Sequence, residues 1–446
     1  MRTGRHAALL GVVLALLATA CAPVQRTTIT VLASWTGAEE ESFALIRERF
    51  EEKTGIEVNY EGTRAMEQVL QSGVQKGEPP DVAILPSAGE LKEYVDQDLV
   101  YELDPARGYE PPAGQRWPVL PTLGLGETYA VIAKADLKSL VWHRGEVPDP
   151  PETWEELQAL PGRWCLGLDA PPVPGWPGTD WIEDIFLQQQ GSAEYQKWAT
   201  GVSPWYSDEM KQAWRTWEEV VADSGPVDRD PTAALLTDFT DAGRGMFADP
   251  EQCSFDHAAS FIQGSYATYP DVAGESATFD YFRFPRFGPR QEPQIVSADL
   301  AVLPKRPADD LGTAQQGEPR PEAEEFLHFL ATEEAQAIWA TRKMAGSSAY
   351  SVNAGIAPET YPDQVSQKIA RTLTTSPQLC FDASDLMPPG LRNAFYRGVL
   401  EFARDPSRLD EILGKLDHVQ AEAMRQDRSR GDGPLPLEFP CGVPAG

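Results

Sequence analysis

The chain has 446 residues, of which 41 % are hydrophobic, enough for two or more domains around a sizeable core. Its net charge is -30, and a surface of that sign repels nucleic acid and anionic lipid headgroups. Five cysteines and five scattered histidines occur without a C-x-x-C or zinc-type spacing, so no metal, no cofactor and no Cys–His nucleophile is expected.

The first segment reads as an export signal. MRTGRHAA carries Arg2 and Arg5, and the apolar run LLGVVLALLATA follows, too short for an ordinary membrane span. It ends in Ala18-Thr19-Ala20-Cys21. Ala18-x-Ala20 fits ordinary signal-peptidase cleavage. Small-x-small-Cys is similar to a bacterial lipobox, although Ala18 stands where Leu is usual. The expectation is a signal peptide over 1–20, lipidation at Cys21 and a linker over 21–27. The mature protein would touch a membrane only through that lipid.

From residue 29 strands and helices alternate. ITVLA (29–33), IEVNY (56–60) and DVAILP (81–86) read as strands. Residues 38–55 read as a helix with Phe43, Ile46 and Phe50 on one face and Gly55 as its stop; residues 64–77 form a second. Such alternation predicts a mostly parallel α/β sheet with ligands at the carboxyl ends of its strands. Residues 129–143 read as one long strand crossing between regions. Thr153-x-x-Glu156 is a capping box, 164–170 a strand, and GWPGTDW (175–181) a rigid turn before helices over 182–222. In these, Ser207 caps a stripe of Met210, Trp214, Trp217 and Val221. Residues 293–304 read as a return crossing, 305–321 as a polar loop, and 322–340, 363–375 and 391–426 as helices. With Cys21 lipidated, four cysteines remain in an oxidising compartment. The extended tail suggests pinning of Cys441 to Cys380, leaving Cys165 to pair with Cys253.

Sugars present an apolar C–H face and a polar rim, so aromatic rings beside carboxylates and amides are the groups to look for. Trp176, Asp180 and Trp181 supply them within one turn; Asp180 alternatively caps the helix starting at Trp181. Trp35 with Glu39 and Glu40 follows the first strand, where the acids either accept sugar hydroxyls or favour a helix N-terminus. Arg64 follows the second strand. Asp81 reads as structural. Asp299 lies inside an apolar strand, where an unpaired charge is expensive. Phe261-Ile262-Gln263-Gly264 offers a further amide lining at Gln263.

Several blocks carry a resemblance: TVLASWTGAEEESFALIRERFEEKTGIEVNYEGT, PPDVAILP, KSLVWH, WCLGL, GWPGTDWIEDIF, ASFIQG and FDASDLMP. Over roughly residues 28–420 the chain resembles extracellular solute-binding proteins of carbohydrate ABC importers, nearest the α-glucoside branch. The resemblance implies a two-lobed periplasmic-binding-protein-like fold with a multi-segment hinge. Lobe one is expected at 28–132 and 300–345, lobe two at 133–299 and 346–425, and an extension at 426–446. It implies a monomer that delivers a small carbohydrate to membrane permease subunits, with Trp35, Glu40, Arg64, Trp176 and Asp180 at the site. Residues 305–321, the tail and MAGSSAYSVN (344–353) depart from the family pattern. Two other functions compete. A secreted glycosidase would need two carboxylates at a set spacing, from Asp180, Glu183 and Asp184. A binder of a polyol, an osmolyte glycoside or a quaternary ammonium would use the same aromatic and acidic groups.

Overall fold

The computed structural model describes residues 27–103, 127–145, 147–222, 224, 231–269, 279–306, 318–341, 348–430 and 439–442. The expected signal peptide, Cys21, most of the linker and most of the 305–321 loop lie outside these residues. In chain order the strands are β1 (Thr28–Ala33), β2 (Glu57–Gly62), β3 (Val82–Leu85), β4 (Val131–Leu137), β5 (Leu140–Arg144), β6 (Trp164–Cys165), β7 (Phe255–His257), β8 (Phe279–Arg283), β9 (Gln294–Val302) and β10 (Leu379–Phe381). They form two sheets. One runs β10-β9-β3-β1-β2, with β4 also paired to β9; the other runs β6-β7-β5-β8.

In the first sheet β1 lies parallel to β2 and β3, as the strand–helix alternation predicts, and β9 is antiparallel to β3 and β4. Successive side chains of a strand point to opposite faces. Ile29, Val31, Ala33, Val82 and Ile84 therefore enter one apolar cluster, beneath Phe43, Ile46 and Phe50 of the helix Ala38–Thr54. Leu32, Ala83 and Leu85 enter a second cluster that continues into the other half of the molecule. Gly55 ends the first helix with φ 74°, and its N–H reaches the Glu51 carbonyl. Asp81 is structural, accepting from the Thr30 amide at 2.8 Å and pairing with Arg306 and Arg320.

The segment expected as one crossing strand is two strands in different sheets. β4 belongs to the first sheet and β5 to the second, with only Lys138 and Ser139 between them. The Ser139 hydroxyl fixes the crossing, accepting from the Ile295 amide at 2.7 Å and donating to Asp184. β9 carries the chain back. Both β4 and β9 run unbroken through 132/133 and 299/300, where the lobes were expected to divide, and β10 lies in the first sheet.

Four local expectations are corrected. GWPGTDW is not a turn: a helix spans Trp176–Gln190, with Gly175 before it at φ 106°. Pro177 sits in the first turn, where its missing N–H costs nothing. A Cβ on Gly175 would lie 2.3 Å from the Tyr396 carbonyl oxygen, and one on Gly178 2.4 Å from Val399 Cγ1. These glycines serve close packing against the helix Pro389–Arg404. Asp180 is thus inside the helix and caps nothing. The strand expected over 164–170 is confined to Trp164–Cys165. The helix expected over 322–340 breaks at Thr332, whose hydroxyl accepts from the Ala335 amide. The helical 391–426 stretch is divided by the 3-10 turn Pro406–Arg408. The Thr153–Glu156 capping box and the buried Met210, Trp214, Trp217, Val221 stripe form as expected.

Cys165 is bonded to Cys253 and Cys380 to Cys441, the pairing expected. The second bond holds the tail beside β10, where the Phe381 amide donates to the Pro440 carbonyl. The first closes a span of 88 residues across the second sheet. Replacing it with Cys165→Ser/Cys253→Ser is expected to cost ~2–4 kcal/mol in urea unfolding. An unchanged midpoint and slope would show that this bond adds nothing to stability.

Candidate functional site

A cavity of about 720 Å³ opens between the two sheets and the helices that cover them. That volume suits a small-molecule ligand. Its floor is the paired ribbon of β4 and β9. The register slips between Ile132 and Lys134, and this bulge sets Lys134 opposite Asp299 and Asp136 opposite Ser297. All four line the cavity, as does Lys138 just beyond β4.

Lys134 is 5 % exposed, and its ammonium lies 3.1 Å from Asp136, 3.2 Å from Glu39 and 3.4 Å from Asp299. Burial alone would lower its pKa, but the three carboxylates outweigh burial and hold it well above the ordinary lysine value. Asp136 moves the other way, raised by burial although Lys134 and the Ser260 hydroxyl bond to it. Lys138 pairs with Asp180 at 3.0 Å and with Asp382. Burial pushes the Asp180 carboxyl up to about 7, with Lys138 opposing. Burial would raise Asp382 too, but Lys138, Ser384 and the Asp385 amide hold it below the usual range. Lys138 thereby ties GWPGTDWIEDIF to FDASDLMP. Glu183 strengthens that joint by accepting from the amides of Ala383 and Ser384.

One wall is aromatic. Half-buried Trp176 meets Phe239 edge-on at 4.8 Å and Phe261 at 5.9 Å. Asp180, one helical turn after Trp176, lies on the same side of its helix. Trp181 is five positions on, about 140° round the helix. It is buried in the core, 4.6 Å from Trp164 and 4.4 Å from His257, and does not line the cavity. Trp35 touches the cavity but is 1 % exposed, wedged edge-on against Phe43 and Trp339. Its indole N–H donates to Asp299 at 2.7 Å, so it positions an acid more than it offers a face. Glu39 and Arg64 line the cavity and bond to each other at 3.3 Å; half-buried Glu40 does not line it. Gln263 is buried and accepts from the Tyr350 hydroxyl at 2.6 Å. The helix stripe facing the cavity is instead Phe261, Gly264, Ser265 and Thr268.

The structure thus gathers Trp35, Glu39, Arg64, Trp176, Asp180 and Asp299, and leaves Glu40, Trp181 and Gln263 outside the cavity lining. Lys134, Asp136, Lys138 and Phe239 are additions. The first three had a signal: in AKADLKS charged residues alternate with apolar ones, so they share one face of a strand.

Residues 46–371 match the family described as bacterial extracellular solute-binding protein. This chain belongs to that family. The solute-binding protein is 31 % identical over 412 residues to the alpha-glucosides-binding periplasmic protein AglE of Rhizobium meliloti (strain 1021), covering 87 % of this chain and 86 % of that one. It is 28 % identical over 402 residues to the osmoprotective compounds-binding protein GgtB of Synechocystis sp. (strain ATCC 27184 / PCC 6803 / Kazusa), covering 84 % and 89 %. In fold it is similar to the solute receptor AcbH, described as having an exclusive preference for b-D-galactopyranose: TM-score 0.70, 16 % identity, 90 % of this chain and 99 % of that one. The two-lobed α/β fold expected from sequence is the fold of this family. No helix among the described residues is long and apolar enough to cross a membrane.

At the cavity edge of the solute-binding protein, Arg392 joins parts of the chain far apart in sequence. It donates to the Ser87 hydroxyl at 2.8 Å and to Glu67 at 2.9 Å. Nearby Glu90 is 2 % exposed, with no hydrogen-bond partner for either carboxylate oxygen among the described residues. Burial pushes it up to about 8. The folded state therefore holds a proton that the unfolded chain releases near pH 4.5. Stability from this group is present below that pH, falls as pH rises, and is fully lost above about 8. Glu90→Gln mimics the protonated form. It should leave the melting temperature near pH 4 unchanged and raise it by several degrees at pH 9. A melting curve that shifts equally at both values would refute the assignment.

Proposed function

We propose that this protein is the carbohydrate-binding component of an ABC importer. It would hold an α-glucoside between its two lobes and deliver it to permease subunits of the membrane, acting as a monomer anchored through a lipid on Cys21 after removal of residues 1–20. The observation that carries the reading is the cavity itself: a floor of charge-paired Lys134, Asp136, Lys138 and Asp299 beside the rings of Trp176, Phe239 and Phe261. A ring face covers the C–H face of a sugar, while fixed donors and acceptors take its hydroxyls. The α-glucoside class is supported by the relative named for binding alpha-glucosides, and the anchor by the apolar run before Cys21.

Binding alone does the work in this account. A solute that contacts both walls at once favours the closed arrangement by its differential affinity for it. A glycosidase is less well supported, because Glu183 and Asp184 are committed elsewhere. Glu183 accepts backbone amides, and Asp184 bonds to Ser139 and His257. Calorimetric titration with maltose, trehalose, sucrose, isomaltose and glucosylglycerol, with betaine alongside, tests the reading. One or two glucosides should bind with a dissociation constant in the micromolar range, about -8 kcal/mol. Heat from betaine and none from any sugar would sink the proposal.

A further inference from the structure

The two floor lysines are not equivalent. An ammonium group has three hydrogens to donate. Lys134 has three carboxylates within reach, at 3.1, 3.2 and 3.4 Å. Lys138, 7 % exposed and lining the cavity, is paired among the described residues with two, Asp180 and Asp382. It sits under the aromatic wall, because its partner Asp180 lies one helical turn from Trp176 on the same helix side.

We infer that Lys138 is a solute contact, its remaining N–H donating to a ring hydroxyl whose own hydrogen is accepted by Asp180. The inference rests on the sugar-cavity reading and narrows it. A ring stacked on Trp176 brings its rim over the Lys138–Asp180 pair, which offers one donor and one acceptor side by side. That suits a neutral hydroxylated ring, whose hydroxyls both give and accept. It disfavours a quaternary ammonium head, which accepts no hydrogen bond and meets a buried cation.

The test couples a protein change to a ligand change. Lys138→Met alone would leave Asp180 and Asp382 facing each other, so the charge-matched Lys138→Met/Asp382→Asn is used, with Lys138→Arg as a variant that keeps the cation. Each is titrated against maltose, trehalose and sucrose and their singly deoxygenated forms. In the wild type one particular deoxygenation should weaken binding tenfold or more. In the charge-matched variant the penalty for that same deoxygenation should shrink to the part carried by donation to Asp180, because the Lys138 contact is already gone. Lys138→Arg should fold and lose at least tenfold in affinity for the parent sugar. A deoxygenation penalty that persists undiminished at every hydroxyl, or wild-type affinity in Lys138→Arg, overturns the inference and leaves the sugar reading standing. A wild type that binds none of the panel overturns the sugar reading, and this contact with it.

Discussion

Replacing Trp176 with alanine should weaken glucoside binding ten- to a hundredfold while the protein stays folded. The indole lines the cavity and is half-buried, whereas Trp35, which also touches the cavity, and Trp181, which does not, are 1 % exposed. Its neighbours Phe239 and Phe261, edge-on at 4.8 and 5.9 Å, fix its tilt without covering it. Aromatic anchors in desolvated pockets carry a large share of binding energy, and losing one typically costs ~2 kcal/mol or more. Tenfold corresponds to about 1.4 kcal/mol, so the expected range is modest for such a residue. Trp176→Phe should keep most of the affinity. Calorimetry reads the effect, and unchanged binding in Trp176→Ala would remove this residue from the site.

The second large effect concerns stability. Lys134→Met should destabilise the fold by ~3–5 kcal/mol at neutral pH, the usual result of removing one partner from a buried ion pair. Asp136, Asp299 and Glu39 would be left together with no cation between them. The loss should shrink as pH falls, because protonation then relieves the repulsion. Wild-type Lys134, held well above the ordinary lysine value, stays charged throughout that range. Lys134→Met/Asp299→Asn should recover part of the loss. Urea unfolding at neutral and acidic pH checks this; a deficit that does not change with pH would mean the lysine acts through packing alone.

Much of the architecture was legible because it rests on local rules. The first three strands, the Phe43–Ile46–Phe50 face with its Gly55 stop and the capping box at Thr153 each follow from periodicity or cap chemistry. The cysteine pairing followed from the position of the tail. GWPGTDW misled because its glycines read as turn formers. Their task is to let one helix approach another, and that partner lies more than two hundred residues along the chain. Trp181 was read as lining for a related reason: a turn can show several neighbours to one cavity, whereas a helix shows only one stripe. Gln263, read only as an amide ending an apolar segment, lies off the stripe of its own helix. Of the floor only Asp299 was named, because the rest depends on tertiary structure. AKADLKS declares one polar face, but the bulge that sets Lys134 opposite Asp299 is not written in either strand alone.

The most direct test of the account is a crystal structure of the protein with whichever glucoside binds tightest in titration. A sugar ring should lie in the cavity with its C–H face against Trp176 and its hydroxyls within hydrogen-bond reach of Lys138, Asp180 or the Lys134–Asp299 pair. Density for the sugar anywhere else, or in the cavity with Trp176 and the β4–β9 floor untouched, would contradict it.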